Sequence, residues 1–290
     1  MEFTALLTAS VLGVTLQQIC KKAYNKKVSG GTFTFTALSI LFALTVFIAI
    51  AVFNRTFNFN SEILPYAIGF AVAYGSASIG SFLAISTGPM SITSLLVQYS
   101  LSVPTIYGLC TGDKASLFLY VGLGLLFISL FLVNIEKKGE EKKITLKWGV
   151  FALLAFFGNG LCSTVQKAQQ DVFVTEQNPD GYKSEFMIIA LAVSFIAIAV
   201  SALIFERQNL GAKIKTGAHL YVICGLANGL VNLFVIMLAK YDASIVFPVI
   251  SAGGIVATAL VGIFIYKEKL SFMQIIGMVL GTSSIVFLNL

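Results

Sequence analysis

At 290 residues, 57% hydrophobic and only 11% charged, with a mean hydropathy of +0.91, the chain carries about half the charged fraction of a soluble domain. That composition excludes an ordinary soluble globular protein. The net charge of +6 is not a nucleic-acid footprint either, because the basic residues gather in the joints between apolar runs.

Those runs are about twenty residues long, the length that crosses a ~30 Å hydrocarbon core. They predict ten spans: 3–20, 33–53, 63–86, 90–110, 115–135, 148–167, 186–205, 217–239, 243–265 and 270–289. Span 3–20 has no basic n-region and no small-residue cleavage site, so it reads as a retained helix and not a signal peptide. It ends on Gln17 and Gln18. Span 63–86 carries Tyr74 and the small-residue run GSASIG. In 90–110, Gln98, Tyr99 and Ser102 precede Pro104. Span 148–167 places Asn159 between Gly158 and Gly160 and closes on Gln166 and Lys167. In 217–239, Asn228 and Asn232 are spaced i, i+4 and share one helix face. Span 243–265 gathers Pro248, Ser251, Gly253 and Gly254.

Basic residues are unevenly divided between the joints. Fourteen of the nineteen follow odd-numbered spans: Lys21, Lys22, Lys26 and Lys27, then Lys137, Lys138, Lys142, Lys143 and Lys147, then Arg207, Lys213 and Lys215, then Lys267 and Lys269. Basic joints stay in the cytoplasm, which predicts a multi-pass protein of the cell membrane with both termini outside. Cys20, Cys110, Cys162 and Cys224 lie in or at the ends of spans with no CxxC pair, so neither a disulfide framework nor a zinc site is expected.

The chain also repeats itself. At an offset of 155, Asp113, Lys114, Ser116, Gly122, Ser129 and Asn134 fall on Glu268, Lys269, Ser271, Gly277, Ser284 and Asn289. At an offset of 153, Ser91 and Ile92 fall on Ser244 and Ile245. LQQICKK (16–22) is loosely echoed by TVQKAQQ (164–170). Five spans per copy is an odd number, so the second copy enters the membrane from the opposite side. The expected fold is therefore an all-α integral membrane protein of ten transmembrane helices in two inverted five-helix repeats, 1–143 and 144–290, forming one membrane domain. In such architectures the substrate site lies near mid-bilayer between the halves.

An amide left unpaired in hydrocarbon costs several kcal/mol, so mid-span polar residues turn inward. Each either bonds a neighbouring helix, for about 0.6 kcal/mol on average, or meets a ligand. The Pro- and Gly-weakened fourth helix of each half marks the region. The candidate substrate-binding residues are Gln18, Tyr74, Gln98, Tyr99, Asn159, Gln166, Lys167, Asn228, Asn232 and Ser251. Lys167 has two readings, an anion-binding cation facing the cavity or a side chain snorkelling to the outer surface. No carboxylate lies mid-span, which disfavours proton-coupled export of cationic drugs and leaves neutral, zwitterionic or anionic metabolites. The single histidine, His219, has no mid-membrane acid to orient it, so a Ser/His/Asp arrangement is not expected.

The paired corners, Asp113-Lys114-Ala115-Ser116 followed by Gly122 and Glu268-Lys269-Leu270-Ser271 followed by Gln274 and Gly277, resemble those of the EamA-type branch of the drug/metabolite transporter superfamily. The resemblance covers the whole chain. It implies a ten-helix bundle in which the first four helices of each repeat surround the cavity, and peripheral fifth and tenth helices where members can dimerise. Many relatives are described with both termini in the cytoplasm, whereas the lysines here place them outside. The expected activity is alternating-access transport of a small molecule by a monomer or homodimer in the bilayer. It needs no catalytic residue, cofactor, metal or nucleic acid. The rival reading is a membrane enzyme or an assembly subunit.

Overall fold

A computed structural model of the chain describes all residues except 1, 29, 55–56, 88–96, 98, 113–116, 135–144, 209, 265–271 and 289–290. The expected boundary at 143/144, both acidic-basic corners and the candidate Gln98 lie outside the described residues.

Every regular element among the described residues is helical. In chain order they are α1 (Glu2–Lys27), α2 (Thr32–Asn54), a 3-10 turn (Ser61–Ile63), α3 (Leu64–Thr87), α4 (Ser102–Thr111), α5 (Leu117–Asn134), α6 (Leu146–Phe173), α7 (Lys183–Phe205), α8 (Leu210–Thr216), α9 (Ala218–Leu238), α10 (Ala243–Phe264) and α11 (Phe272–Leu288). Six are long and apolar enough to cross a membrane: α1, α2, α3 with its preceding turn, α6, α7 and α9. The chain is therefore consistent with a multi-pass membrane protein.

Local chemistry sets the helix ends. α1 continues past its apolar stretch because LQQICKKAYNKK contains no breaker, and it stops before Gly30, whose φ of 67° is left-handed. α3 is entered through an Asn60 cap, whose side chain accepts from Glu62 N at 2.9 Å. Thr145 caps α6 by accepting from Trp148 N at 3.2 Å.

The α2 cap comes from another helix. Glu206, buried just past the end of α7, accepts from Phe33 N at 2.8 Å, Thr34 N at 2.9 Å and Thr34 Oγ1 at 2.7 Å. Those N–H groups belong to the first turn of α2, where no intrahelical acceptor exists. At the other end of α7, buried Glu185 accepts from Asn58 N at 2.8 Å and holds the joint between α2 and α3.

The principal core lies where α2, α3, α6 and α7 meet, around Ile40, Phe47, Phe70, Phe186 and Leu191, all fully enclosed. A second cluster joins α1, α9 and α10 through Leu7, Val231, Val235, Leu238, Phe247 and Ile250. Large apolar side chains also cover the outside, among them Phe53 at 88% and Leu146 at 87% exposure. On a soluble surface such a coat would drive association; against lipid it is the matching solvent.

Because lipid is as apolar as leucine, helix association here depends on close packing. The main partners are α3 with α6 and with α7, α1 with α9 and with α10, α2 with α7 and with α9, and α5 with α11; α4 packs on α6 and on α10. Glycines set how close these crossings come; in α3–α6, Gly80 is one of them, since a methyl there would lie 2.6 Å from Ala155 N. A methyl on Gly158 would strike the backbone of Ala77 and lie 2.8 Å from Ala73 O, and one on Gly13 would strike Val231 and lie 3.7 Å from Ala227 O. At Gly158 the obstacle is backbone, which cannot yield as the Val231 side-chain tip facing Gly13 can. Gly158→Ile should therefore separate α3 from α6 and leave little folded, monodisperse protein on size exclusion. Near-parental yield and melting would contradict so close a crossing.

Candidate functional site

The fourth predicted span is broken. Val97 and Tyr99 are helical, Ser100 and Leu101 form a turn, and α4 begins at Ser102. Pro104 falls in the first turn of α4, where its missing N–H costs nothing, because that group has no intrahelical acceptor. The break frees carbonyls upstream. Val97 O accepts from Ser100 Oγ at 2.5 Å and from Asn159 Nδ2 at 3.4 Å, and Asn159 also donates to Ser100 Oγ at 2.7 Å. Pro248, by contrast, lies inside α10 and removes one interior helical bond there.

Beside this break is a hollow of about 180 Å3. Its wall comes from α1 (Val14, Gln17, Gln18, Lys21), α3 (Phe70, Tyr74, Ala77, Ser78, Ser81), the broken segment (Val97, Leu101), α6 (Asn159, Cys162, Ser163, Gln166), α9 (Asn228, Val231, Asn232, Val235) and α10 (Phe247, Ile250). Four helices each present a polar pair at i, i+4: Gln17 and Lys21, Tyr74 and Ser78, Asn159 and Ser163, Asn228 and Asn232. That spacing puts both members of a pair on one face.

The amides form a chain across the wall. Asn228 Nδ2 donates to Gln17 Oε1 and to Tyr74 Oη, each at 3.0 Å. Asn232 Nδ2 donates to Asn228 Oδ1 at 2.8 Å and to Asn228 O at 3.0 Å. Gln166 Nε2 donates to Asn232 Oδ1 at 3.0 Å and reaches Met187 Sδ at 3.7 Å. Four helices are thus joined by side chains that also face the hollow. The alternatives of interhelical bond and ligand contact are not exclusive here, since one residue occupies both positions.

Of the ten candidates, Gln18, Tyr74, Asn159, Gln166, Asn228 and Asn232 line this hollow. Tyr99, Lys167 and Ser251 do not. Tyr99 stacks on Phe127 with centroids 5.4 Å apart and donates to Phe127 O at 3.0 Å, so it serves the contact with α5. Ser251 is buried one position beyond Ile250, a rotation of about 100° off the lining face.

Lys167 neither reaches the surface nor lines the hollow. It is 7% exposed, donates to Ala239 O at 2.8 Å and Tyr241 O at 3.4 Å, and pairs with Asp171 at 2.9 Å. Its ammonium satisfies carbonyls at the C-terminal end of α9, where a cation is favoured. Just beyond, Gln169 Nε2 donates to Gly181 O at 2.6 Å, and Gln170 Nε2 donates to Gln169 Oε1 at 2.6 Å and Gly181 O at 3.3 Å. The end of α6 is thereby stapled to the turn before α7.

Gln17, Lys21, Ser78, Ser81 and Ser163 line the hollow but were not among the candidates. Serine is too common in helices to stand out alone. The available signal was the spacing of Ser78 from Tyr74 and of Ser163 from Asn159, four residues each, and of Ser81 from Tyr74, seven.

No family model and no curated protein matches the chain. One solved structure, described only as the crystal structure of a protein, aligns with a TM-score of 0.74 over 99% of this chain and 98% of its own, at 14% identity. At that identity the likeness concerns the fold alone.

Proposed function

We propose that the chain is a secondary transporter of small organic molecules, built of ten spans in two inverted five-helix repeats and working by alternating access. The observation that carries this reading is the composition of the hollow's wall. With α1 to α5 matched in order to α6, α7, α9, α10 and α11, the wall draws on α1, α3 and the fourth span of the first half, and on their counterparts α6, α9 and α10 in the second.

The packing supports the same pairing. Contacts α3–α6, α2–α9 and α1–α10 map onto α9–α1, α7–α3 and α6–α4, while α2–α7, α4–α10 and α5–α11 map onto themselves. The crossings agree in kind: Gly13 faces Ala227 O as Gly158 faces Ala73 O, the alanines lying 154 apart, between the offsets of 153 and 155 found elsewhere, and the glycines 145 apart. Tyr74 and Asn228, joined by a hydrogen bond, are separated by that same 154. A two-fold axis in the membrane plane passes between them on this reading.

The hollow also has an asymmetry suited to one state of a transport cycle. Lys21, near the cytoplasmic end of α1 by the distribution of basic residues, lines the hollow and is exposed. At the other end, one turn beyond Val235 on α9, Lys167 and Asp171 draw α6 against Ala239 and Tyr241. On this reading the outer gate is held shut by these contacts, and the hollow is reached from the side of Lys21. The resemblance to the EamA-type branch belongs to the same proposal, as do the cell-membrane location and the external termini.

The test is a thermal-shift screen of purified protein against a library of neutral, zwitterionic and anionic metabolites, followed by counterflow in proteoliposomes with any stabilising compound. Accelerated, saturable exchange supports the reading. Compounds that bind but never cross would favour the enzyme or scaffold alternative.

A further inference from the structure

We infer that the hollow is a site for a small organic anion, with Lys21 supplying the charge that holds its carboxylate or phosphate group. The inference rests on the transport reading and names its substrate class. Among the described residues lining the hollow, Lys21 is the one charged side chain; no Asp, Glu, Arg or His stands with it. The ion pairs Lys167–Asp171 and Lys183–Asp180 do not involve it. Its position contrasts with that of Lys167, whose ammonium is held by two carbonyls and a carboxylate.

Geometry places that charge where it acts on a ligand. Lys21 lies one turn along α1 from Gln17, whose Oε1 accepts from Asn228 at 3.0 Å, so the cation stands beside the amide chain. A concave wall of low dielectric focuses the field of a single charge into the space it encloses. The rest of the wall is neutral: amides and hydroxyls interleaved with Phe70, Val231, Val235, Phe247 and Ile250. This arrangement fits a molecule with one anionic group, a few hydrogen-bonding atoms and a short apolar body. A volume of about 180 Å3 matches a small soluble organic anion and has no room for two acyl chains.

The test needs no knowledge of the natural substrate. Ser163, on the wall, is replaced by cysteine in a protein whose four native cysteines are changed to alanine. Its modification rates by a negatively charged sulfonatoethyl methanethiosulfonate and a positively charged trimethylammonioethyl methanethiosulfonate are measured, each normalised to a free thiol. The expected result is preference for the anionic reagent. Lys21→Gln should lower the preference about tenfold, the order that loss of one unit charge near the site has at an effective dielectric of ~20, and Lys21→Arg should keep it. Equal rates, a preference for the cation, or a ratio that Lys21→Gln leaves unchanged would overturn the anion assignment alone. Failure of both reagents to react would mean the hollow is closed to solutes, and the transport reading would fall with it. Lys21 is exposed, so Lys21→Gln should melt with its parent and report charge, not folding.

Discussion

Glu206→Ala is expected to destabilise the protein by about 3 kcal/mol. Three hydrogen bonds at 2.7–2.9 Å end on this one carboxylate, two of them from backbone N–H groups at the start of α2. Bonds to a charged acceptor contribute about 1.5–3 kcal/mol each in net terms, and a buried N–H left without an acceptor costs about 1–3 kcal/mol. The losses are not additive, because water entering from the helix end recovers part of them. Since α2 packs against both α7 and α9, loosening its first turn should be felt across the bundle. Glu206→Gln keeps an acceptor oxygen but sets an amide N–H against a backbone donor, so roughly half the loss should remain. Melting of the detergent-solubilised protein, followed by intrinsic fluorescence, measures both. Equal midpoints for the parent and Glu206→Ala would mean that the cap is not made.

Asn228→Ala should have the opposite profile, with a large loss of function and a small loss of stability. Its side chain donates to Gln17 and Tyr74 and accepts from Asn232, so one truncation releases three partners across three helices. Interhelical hydrogen bonds in membrane proteins average only about 0.6 kcal/mol each, because the released groups find other partners. The stability cost is therefore about 1–2 kcal/mol. Substrate positioning is less forgiving, since the same atoms fix the wall that a ligand must match. Flux of any compound identified by the screen should fall at least about tenfold while expression and monodispersity hold. Unchanged flux would remove the amide chain from the substrate site; collapse of the fold would make it a purely structural brace.

The contrast between these residues shows what could be read from the sequence. Apolar runs located the helices, since twenty apolar residues have few other uses. The i, i+4 asparagines and the mid-span glutamines pointed to a polar hollow, because an amide in hydrocarbon must find a partner. Glu206 was not recognisable in the same way. Its role depends on the start of α2, 172 residues away in sequence, and no local pattern encodes such a meeting. Lys167 escaped for a related reason: its carbonyl partners belong to the end of α9, a contact fixed only when α6 and α9 pack.

Tyr99 and Ser251 illustrate a limit of helical phase. Both stand beside residues that line the hollow or its break, and a shift of one position turns a side chain by about 100°. Tyr99 stands two positions after Val97, which lines the hollow, a rotation of about 200°, and meets Phe127 instead of a ligand. Pro104 announced an interruption, but the break falls just before it and not at its own missing N–H.

Sidedness of access to the hollow tests the central claim most directly. Ser78→Cys, on the α3 wall, would be probed in oriented vesicles with a membrane-impermeant thiol reagent applied to one face at a time. Because Cys162 lines the same hollow, the four native cysteines are first changed to alanine; modification is then expected from the cytoplasmic face alone while Lys167 is kept, and access from the outer face once Lys167→Met releases α6 from Ala239 and Tyr241. Access from both faces at once with Lys167 kept, or from neither in both proteins, would contradict a single hollow that faces the two sides in turn.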